Sequence, residues 1–160
     1  MKLASIGDGK KISWFADDGA KEATQTFGVV IDATLQPKYG YVVDDLTLDG
    51  KSPVVVVSPG AKLSGGAKYQ AWVSTGCPMC RQQIVYGIAS TPAGCLYDYS
   101  PGTWPGVSGS GTIDLTAPST AGTYIVRVAF ALQLSCSDAL TKANPLGVEP
   151  TTEVGVIVVK

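Results

Sequence analysis

A strict two-residue alternation over residues 122–134 constrains the fold more than any other feature of this chain. Every second residue is large and apolar, and this set is Tyr124, Val126, Val128, Phe130, Leu132 and Leu134. Alternate residues of a β-strand lie on opposite faces of a sheet, whereas a helix repeats about every 3.6 residues. The segment is therefore predicted to be a long strand.

Segments of similar composition recur along the chain and are separated by turn residues. They are residues 11–16, 26–35, 39–48, 53–58, 68–74, 82–89, 95–99 and 153–159. Gly65-Gly66 is one of the predicted turns, and a short strand from Thr112 is expected to end before Pro118. Helical turns are predicted over residues 17–24 and 137–143. Ser137 would cap the second of these, and Asn144-Pro145 would end it.

The number and spacing of these strands predict an all-β protein. The expected architecture is an antiparallel β-sandwich, immunoglobulin-like or jelly-roll-like, with one or two short helical turns. A chain of 160 residues has an ordinary size for one domain, so residues 1–160 are predicted to form a single domain. Residues 1–15 are expected to be an N-terminal extension or a strand exchanged with a neighbouring copy.

The charge pattern excludes two classes of partner. The chain has 12 basic and 13 acidic residues, and neither sign is clustered. Without a basic stripe to neutralise phosphates, we expect no nucleic-acid binding and no binding to anionic membranes. The longest apolar runs, residues 54–57 and 154–159, are far shorter than the roughly 20 residues of a membrane-spanning helix. No membrane insertion is expected.

Residues 115–128, LTAPSTAGTYIVRV, contain a turn with Gly122 followed by Tyr124 at the start of a strand. This segment resembles the corner before a late strand of immunoglobulin-like sandwich modules of extracellular and surface proteins. The resemblance covers residues 53–160 at the level of architecture. Antibody-type domains have a Cys two residues after the corner Tyr, whereas this chain has Val126 there. The resemblance implies a sandwich with a role in adhesion, surface display or assembly, and it transfers no active site.

The chain contains four cysteines, Cys77, Cys80, Cys95 and Cys136, and no histidine. An even number of cysteines in a low-charge, Gly-rich β domain favours two structural disulfides. Because Cys77 and Cys80 are near neighbours, we expect each to pair with a distant partner. The pairs would be Cys77–Cys95 with Cys80–Cys136, or the crossed arrangement. The alternatives are a zinc site with all four cysteines as ligands and a thiol-redox site at Cys77-Pro-Met-Cys80.

Catalysis and a bound cofactor are not expected. Without histidine, no evident base would activate a serine. Asp44 and Asp45 occupy successive strand positions and would face opposite sides of a sheet, which is unsuitable for an acid–base pair. Asp44, Asp45 and Asp49 are the candidates for a calcium site, although they lack the dense spacing of a dedicated calcium loop.

An aromatic loop follows Cys95 and contains Tyr97, Asp98, Tyr99 and Trp104. Aromatic faces beside a carboxylate on a rigid loop suit the binding of a glycan or a protein. In the alternative interpretation, these rings cap the open end of the sandwich.

The two ends of the chain suggest self-association. Ile12, Trp14 and Phe15 belong to a short N-terminal strand, and Val154, Val156 and Val158 belong to a nearly uncharged C-terminal strand that we expect at a sheet edge. The sequence thus predicts a non-catalytic structural or assembly module of a surface filament, particle or cell-surface layer, associating by β-strand addition. Residues 1–15 lack a signal-peptide pattern. The expected location is extracellular, on a cell surface or on a virion.

Overall fold

The computed structural model describes residues 10–15, 22–27, 40–50, 52–73, 75–147 and 151–160. Its strands are β1 (Lys10–Phe15), β2 (Glu22–Phe27), β3 (Gly40–Thr47), β4 (Val54–Val57), β5 (Lys62–Trp72), β6 (Gln82–Ile88), β7 (Thr91–Tyr99), β8 (Val107–Thr116), β9 (Gly122–Ala131) and β10 (Thr152–Val159). Short helical turns over Cys136–Asp138, Ala139–Ala143 and Pro145–Gly147 separate β9 from β10.

Two packed sheets form the body of the structure, which confirms the predicted β-sandwich. The five-stranded sheet has the order β4-β10-β9-β6-β7, and the three-stranded sheet has the order β3-β5-β8. Among the described pairs, β4–β10 is parallel and the others are antiparallel. Inward side chains of both sheets form one core, for example Ile84 and Val126 from the larger sheet with Leu63 and Ile113 from the smaller.

The corner before β9 agrees with the resemblance to immunoglobulin-like modules at the level of architecture. The Tyr124 hydroxyl donates to the carbonyl oxygen of Thr120 at 3.0 Å. A tyrosine that bonds to backbone a few residues upstream is the bond of a tyrosine corner. It fixes the turn from which β9 begins.

The prediction that residues 154–159 form an edge strand is wrong. β10 lies between β4 and β9, and every residue of the strand is buried. Its valines pack on both faces: Val154 belongs to the main core, whereas Val156 and Val158 form a separate cluster with Val54 and Ile125. A run of β-branched residues with no charge is typical of a strand covered on both faces as well as of an unprotected edge.

Several predicted boundaries also change. Gly65-Gly66 was predicted to be a turn, but it lies inside β5. Gly65 is a glycine because the bulged strand β3 approaches it closely there, and a Cβ would collide with the carbonyl oxygen of Thr47. Residues 22–24, predicted to be helical, belong to β2, which pairs with β1 in a separate two-stranded sheet. The rest of the predicted helical turn, residues 17–21, and residues 28–35 of the predicted second strand lie outside the described residues.

The helical turns after β9 cover part of the outer face of the five-stranded sheet. Ala139 and Leu146 pack there against Val85 and Ala129. The helical prediction is confirmed, and Asn144 in the left-handed region ends the second turn. The cap is Ser135, not Ser137, because the Ser135 hydroxyl accepts from the Asp138 N–H. No helix among the described residues is long and apolar enough to cross a membrane.

Candidate functional site

One end of the sandwich exposes a group of large apolar side chains, which we call the apolar end. Of the seven exposed large apolar residues in the described part of the chain, six belong to this group. They are Met79, Tyr99, Trp104, Val107, Leu132 and Leu134. The seventh, Val56, lies on β4. An apolar cluster of this kind, on the order of several hundred Å², marks an interaction surface more often than a chance arrangement.

The strand register explains why these residues meet. Gln82 at the start of β6 pairs with Tyr99 at the end of β7, and β9 ends at the same level. Val73, directly after β5, forms an isolated parallel bridge with Thr103 in the loop between β7 and β8. The segments before β6, after β7 and after β9 therefore leave the sheets on the same side.

Hydrogen bonds fix these three segments to one another. Ser100 Oγ lies 3.2 Å from the carbonyl oxygen of Pro78 and 3.1 Å from that of Cys80. The buried Gln83 amide donates to the carbonyl oxygen of Gln133 at 3.0 Å and accepts from the Gln133 N–H at 2.9 Å. These bonds hold the segments of the apolar end in fixed positions at the ends of the strands. A surface fixed on rigid elements favours specific binding.

Asp98 is the electrostatic centre of this end. Arg81 donates to it through Nε at 2.8 Å and through Nη2 at 3.0 Å. Gln83 Nε2 donates to Oδ1 at 2.7 Å, and the backbone N–H of Cys136 donates to Oδ2 at 2.9 Å. The Arg81 bonds, followed by those from Gln83 and Cys136, lower the pKa of Asp98 from 3.8 to about 2 against the opposing effect of burial. Each carboxylate oxygen accepts two of these hydrogen bonds, so the Asp98 carboxylate serves to hold neighbouring segments of the protein together.

Trp104 combines packing with exposure. Its ring stands edge-on to the fully buried Trp72, with centroids 4.9 Å apart and planes at 89°. Gly106 permits this approach, because its φ is 71° and a Cβ there would collide with the carbonyl oxygen of Ala71. Trp104 is still 56% exposed. It therefore caps the sandwich with one edge, as the alternative interpretation proposes, and presents the remainder to solvent.

Of the four residues predicted to form the aromatic binding loop, two are exposed and two are engaged in the interior. Tyr99 and Trp104 are exposed, and the Arg81 guanidinium lies over the Tyr99 ring at 5.6 Å. Tyr97 is buried in the main core. It lies on β7 and pairs with Ile84 of β6, next to a β-bulge. Asp98 has the internal role described above. Tyr99 and Trp104 are therefore the two residues of this loop that are accessible to a ligand, and the binding role stays a prediction.

Four members of the apolar end were not identified from the sequence: Met79, Val107, Leu132 and Leu134. Two signals were present. Leu132 and Leu134 continue the alternation of β9 beyond its last ladder residue, Ala131, so they leave the sheet without a partner strand. Met79 belongs to the four-residue turn that the Cys77–Cys80 disulfide closes, and its side chain is exposed.

The four cysteines form two disulfides, and none is free. The predicted oxidation is confirmed, but the predicted pairing is wrong. Cys77 bonds to Cys80, and Cys95 bonds to Cys136. A turn in which the Cys80 N–H donates to the carbonyl oxygen of Cys77 at 3.0 Å brings the two near neighbours together. This pairing disagrees with the four-cysteine zinc alternative, because it leaves no thiolate to bind the metal.

We expect the purified chain to have an intact mass lower than the reduced formula by the four hydrogens that two disulfides remove. Peptide mapping without reduction should recover one crosslinked pair from residues 95 and 136 and one closed turn at residues 77–80. Free thiols in denaturant, or a crosslink between residues 80 and 136, would contradict the observed pairing.

The candidate calcium ligands do not converge. Asp45 forms an ion pair with Lys68 at 2.9 Å, and Asp44 Oδ1 accepts from the Asp45 N–H at 2.7 Å. Within the described residues, no group of three or more His, Cys, Asp or Glu side chains could hold a metal ion.

Comparisons with known proteins assign no family to the chain. No protein-family model matches it, and no curated protein matches it. Among solved structures, the chain is similar to the CARDB domain of a Pyrococcus furiosus protein, whose structure was determined in complex with di-metal ions. The identity is 13% and the TM-score is 0.41, over 76% of this chain and 96% of that domain.

Proposed function

We propose that this chain is a non-catalytic structural module of a surface assembly, and that it binds a protein partner through the apolar end. The observation that carries the proposal is the concentration of exposed large apolar side chains at one end of the sandwich, where six of the seven in the described residues lie. Leaving such side chains in water is unfavourable, by about 25 cal/mol for each Å². A partner that covers them recovers that free energy.

The chemistry of the apolar end favours a protein over a glycan. Met, Tyr, Trp and Arg are enriched at the centres of protein interfaces, and Met79, Tyr99, Trp104 and Arg81 lie here. A sugar-binding site pairs an aromatic face with a carboxylate or amide that is free to bond hydroxyl groups. Both oxygens of Asp98 are already used by Arg81, Gln83 and Cys136, so the carboxylate beside these rings is not free for that role.

The disulfides support a location outside the cytoplasm. Two disulfides indicate an oxidising environment outside the cytoplasm. Among environments outside the cytoplasm, we propose an extracellular location, on a cell surface or on a particle. A small crosslinked sandwich that binds a protein through its apolar end fits a surface assembly.

Association by strand addition stays a prediction, and the topology changes its acceptor. β10 is enclosed on both sides, whereas β4 is at one end of the sheet formed by the described strands. β4 consists of four valines, and Val56 is 62% exposed. An apolar strand without charge is suited to pairing with an added strand, although four residues offer only a short ladder.

The proposal is tested with Met79→Asp and Leu134→Asp, and with Val56→Asp as a matched control. All three residues are exposed apolar side chains, at 82%, 85% and 62%, and only the first two lie at the apolar end. We expect melting temperatures within a few degrees of the native chain, because exposed side chains contribute little to folding. A partner captured from the extracellular fraction of the source should be lost with the first two variants and retained with the control.

Two results would contradict this proposal. One is a captured partner that all three variants retain equally. The other is binding on a glycan array that depends on Tyr99 and Trp104 but not on Met79 or Leu134, since that pattern would favour the carbohydrate-binding alternative.

A further inference from the structure

The Cys77–Cys80 disulfide lies within the apolar end, and the proposed function gives it no role. It closes a turn whose two middle residues, Pro78 and Met79, are exposed. Both cysteines are half-buried, and in the described part of the chain neither packs against a core cluster. Thiol–disulfide exchange begins when a thiolate reaches one sulfur of a disulfide, so it depends on access. This disulfide is placed where such an attack is possible.

The Cys95–Cys136 disulfide differs from it in two ways. Cys95 lies on β7 and packs against the cluster that contains Val85, Ala129 and Leu146, which restricts access to it. The sequence separation is 41, against 3 for Cys77–Cys80, so this crosslink stabilises the fold far more. By the same linkage, the fold holds the two sulfurs together and resists their reduction. A reagent that opens Cys77–Cys80 should therefore leave Cys95–Cys136 closed.

Without its disulfide, the turn at residues 77–80 would rely on hydrogen bonds at the surface. The Cys80 N–H donates to the carbonyl oxygen of Cys77 at 3.0 Å, and the exposed Ser100 hydroxyl reaches the carbonyl oxygens of Pro78 and Cys80. The single hydrogen of that hydroxyl is shared between two acceptors. Hydrogen bonds that water can replace contribute little to stability. The turn would therefore gain conformational freedom once the crosslink is open.

The chain on either side of the turn stays fixed. Before the turn, the Val73 N–H donates to the carbonyl oxygen of Gly102 at 2.8 Å. After it, Arg81 is paired with Asp98, and β6 begins at Gln82. Opening the disulfide would thus release the turn and leave the sandwich intact. Met79, which is 82% exposed, is the member of the apolar end that would lose its fixed position.

We propose that the Cys77–Cys80 disulfide is a site of thiol–disulfide exchange that controls binding at the apolar end. A dithiol opens this disulfide and leaves Cys95–Cys136 closed. The closed turn holds Met79 in the position that a partner contacts, and the open turn must be ordered again on binding, which weakens affinity. The inference rests on the proposed function and adds its regulation.

The exchange proceeds in two balanced steps. A thiolate of the dithiol attacks one sulfur of the disulfide, so the bond between Cys77 and Cys80 breaks, a mixed disulfide forms and one cysteine leaves as a thiolate. The second thiol of the reagent, as its thiolate, then attacks the mixed disulfide, closes a disulfide within the reagent and releases the other cysteine. The two protons of the dithiol end on Cys77 and Cys80. The protein gains two electrons, and the dithiol is oxidised by two.

This role differs from that of a thiol oxidoreductase. In those enzymes the attacking cysteine lies at the N-terminus of a helix, which lowers its pKa. Here the turn with Cys77 and Cys80 leads into strand β6, which begins at Gln82. The site is therefore suited to being modified by a dithiol and not to turning over substrates.

The first test is partial reduction of the folded full chain with dithiothreitol. Free thiols are trapped with iodoacetamide, and peptide mapping identifies them. We expect residues 77 and 80 to be alkylated at least about tenfold faster than residues 95 and 136, because the two disulfides differ in access and in linkage to the fold. The same reaction in denaturant is the control. There the difference should largely disappear, since the fold no longer protects Cys95–Cys136.

The second test measures whether the turn opens, and it needs no partner. After selective reduction, amide hydrogen exchange of Cys80 should become faster, because its hydrogen bond to Cys77 is no longer held by the crosslink. The buried Val85 in β6 is the internal control, and its exchange should not change.

The third test uses Cys77→Ser/Cys80→Ser, which has nearly the shape of the reduced turn and cannot close. We expect it to bind the partner captured by the native chain about tenfold more weakly, at an almost unchanged melting temperature. Dithiothreitol should have no further effect on this variant. Met79→Asp, measured beside it, reports whether the apolar end binds that partner at all.

Four outcomes would overturn the inference. Reduction of Cys95–Cys136 before or together with Cys77–Cys80 in the folded chain excludes selective exchange. Unchanged exchange of the Cys80 amide after reduction shows that the turn does not open. Equal affinity of the native chain and the serine variant, with binding still lost in Met79→Asp, rejects the control by the disulfide and leaves the proposed function standing. A partner that Met79→Asp retains removes the proposed function and this inference together.

Discussion

Replacing both Cys95 and Cys136 by alanine should lower the free energy of unfolding by about 4 kcal/mol. The disulfide joins residues that are 41 positions apart, so the unfolded chain gains much conformational entropy when the crosslink is removed. For a domain of this size the loss corresponds to a fall in melting temperature of roughly 8 to 16 °C. Denaturant unfolding of the native and substituted chains measures the difference directly.

The matched control is Cys77→Ala/Cys80→Ala. This disulfide has a sequence separation of 3 and therefore restricts the unfolded chain much less. We expect a loss of about 2 kcal/mol or less. Equal losses for the two double variants would show that the crosslinks act through native packing and not through the entropy of the unfolded chain.

Asp98→Asn should be the most destabilising single substitution at the apolar end, with a loss of about 2 to 3 kcal/mol at neutral pH. An asparagine has nearly the same shape, but it has no charge to pair with Arg81. The carboxylate now accepts hydrogen bonds from Gln83 and from the backbone N–H of Cys136. In the asparagine variant, the amide NH₂ group would face at least one of these donors and could not accept its bond. Arg81→Gln is the control, because it removes the ion pair and leaves the Asp98 bonds to the interior. Its loss should be smaller than that of Asp98→Asn, and a larger loss would mean that the surface ion pair dominates.

The pH dependence of this effect has a definite sign. The pKa of Asp98 is about 2 in the folded chain and 3.8 for the ordinary group, so the unfolded state takes up its proton first as the pH falls. The stabilisation is therefore complete above about pH 5 and is lost progressively as the pH falls through 4 towards 2. It amounts to about 2 kcal/mol at most. The stability difference between the native chain and Asp98→Asn should shrink over that interval, and a difference that is constant from pH 6 to pH 2 would contradict the lowered pKa.

Local pattern was sufficient to predict much of the fold. The alternation over residues 122–134 predicted β9, although the strand ends at Ala131, three residues before the predicted end. The turn with Tyr124 predicted the corner before β9. Both signals depend only on neighbouring residues. The position of a strand within its sheet depends on distant partners. β10 illustrates the limit, since the apolar, uncharged run of residues 154–159 within it suits an edge and an interior position equally well in sequence.

The disulfide pairing and the composition of the apolar end could not be predicted from the pattern of neighbouring residues either. The assumption that near neighbours pair with distant cysteines ignored a tight turn at Cys77–Cys80, which brings the two Cα atoms to 5.3 Å. The apolar end is assembled from segments that are far apart in sequence, so Met79 and Leu134 become neighbours of the same surface only once the strand register is known. The pattern of burial along β7 also changed the roles expected for Tyr97 and Asp98.

The path of the chain between Cys95 and Cys136 has a mechanical consequence. From β7 the chain crosses to β8 in the other sheet and returns to β9, so the disulfide closes a loop that passes through both sheets. When the two ends of the chain are pulled apart, tension bypasses this loop through the crosslink. The stretched molecule is shorter by roughly 140 Å, the length of 41 extended residues. β8 and β9 lie within the closed loop, so the crosslink limits how far these two strands can be drawn apart when the rest of the chain is extended.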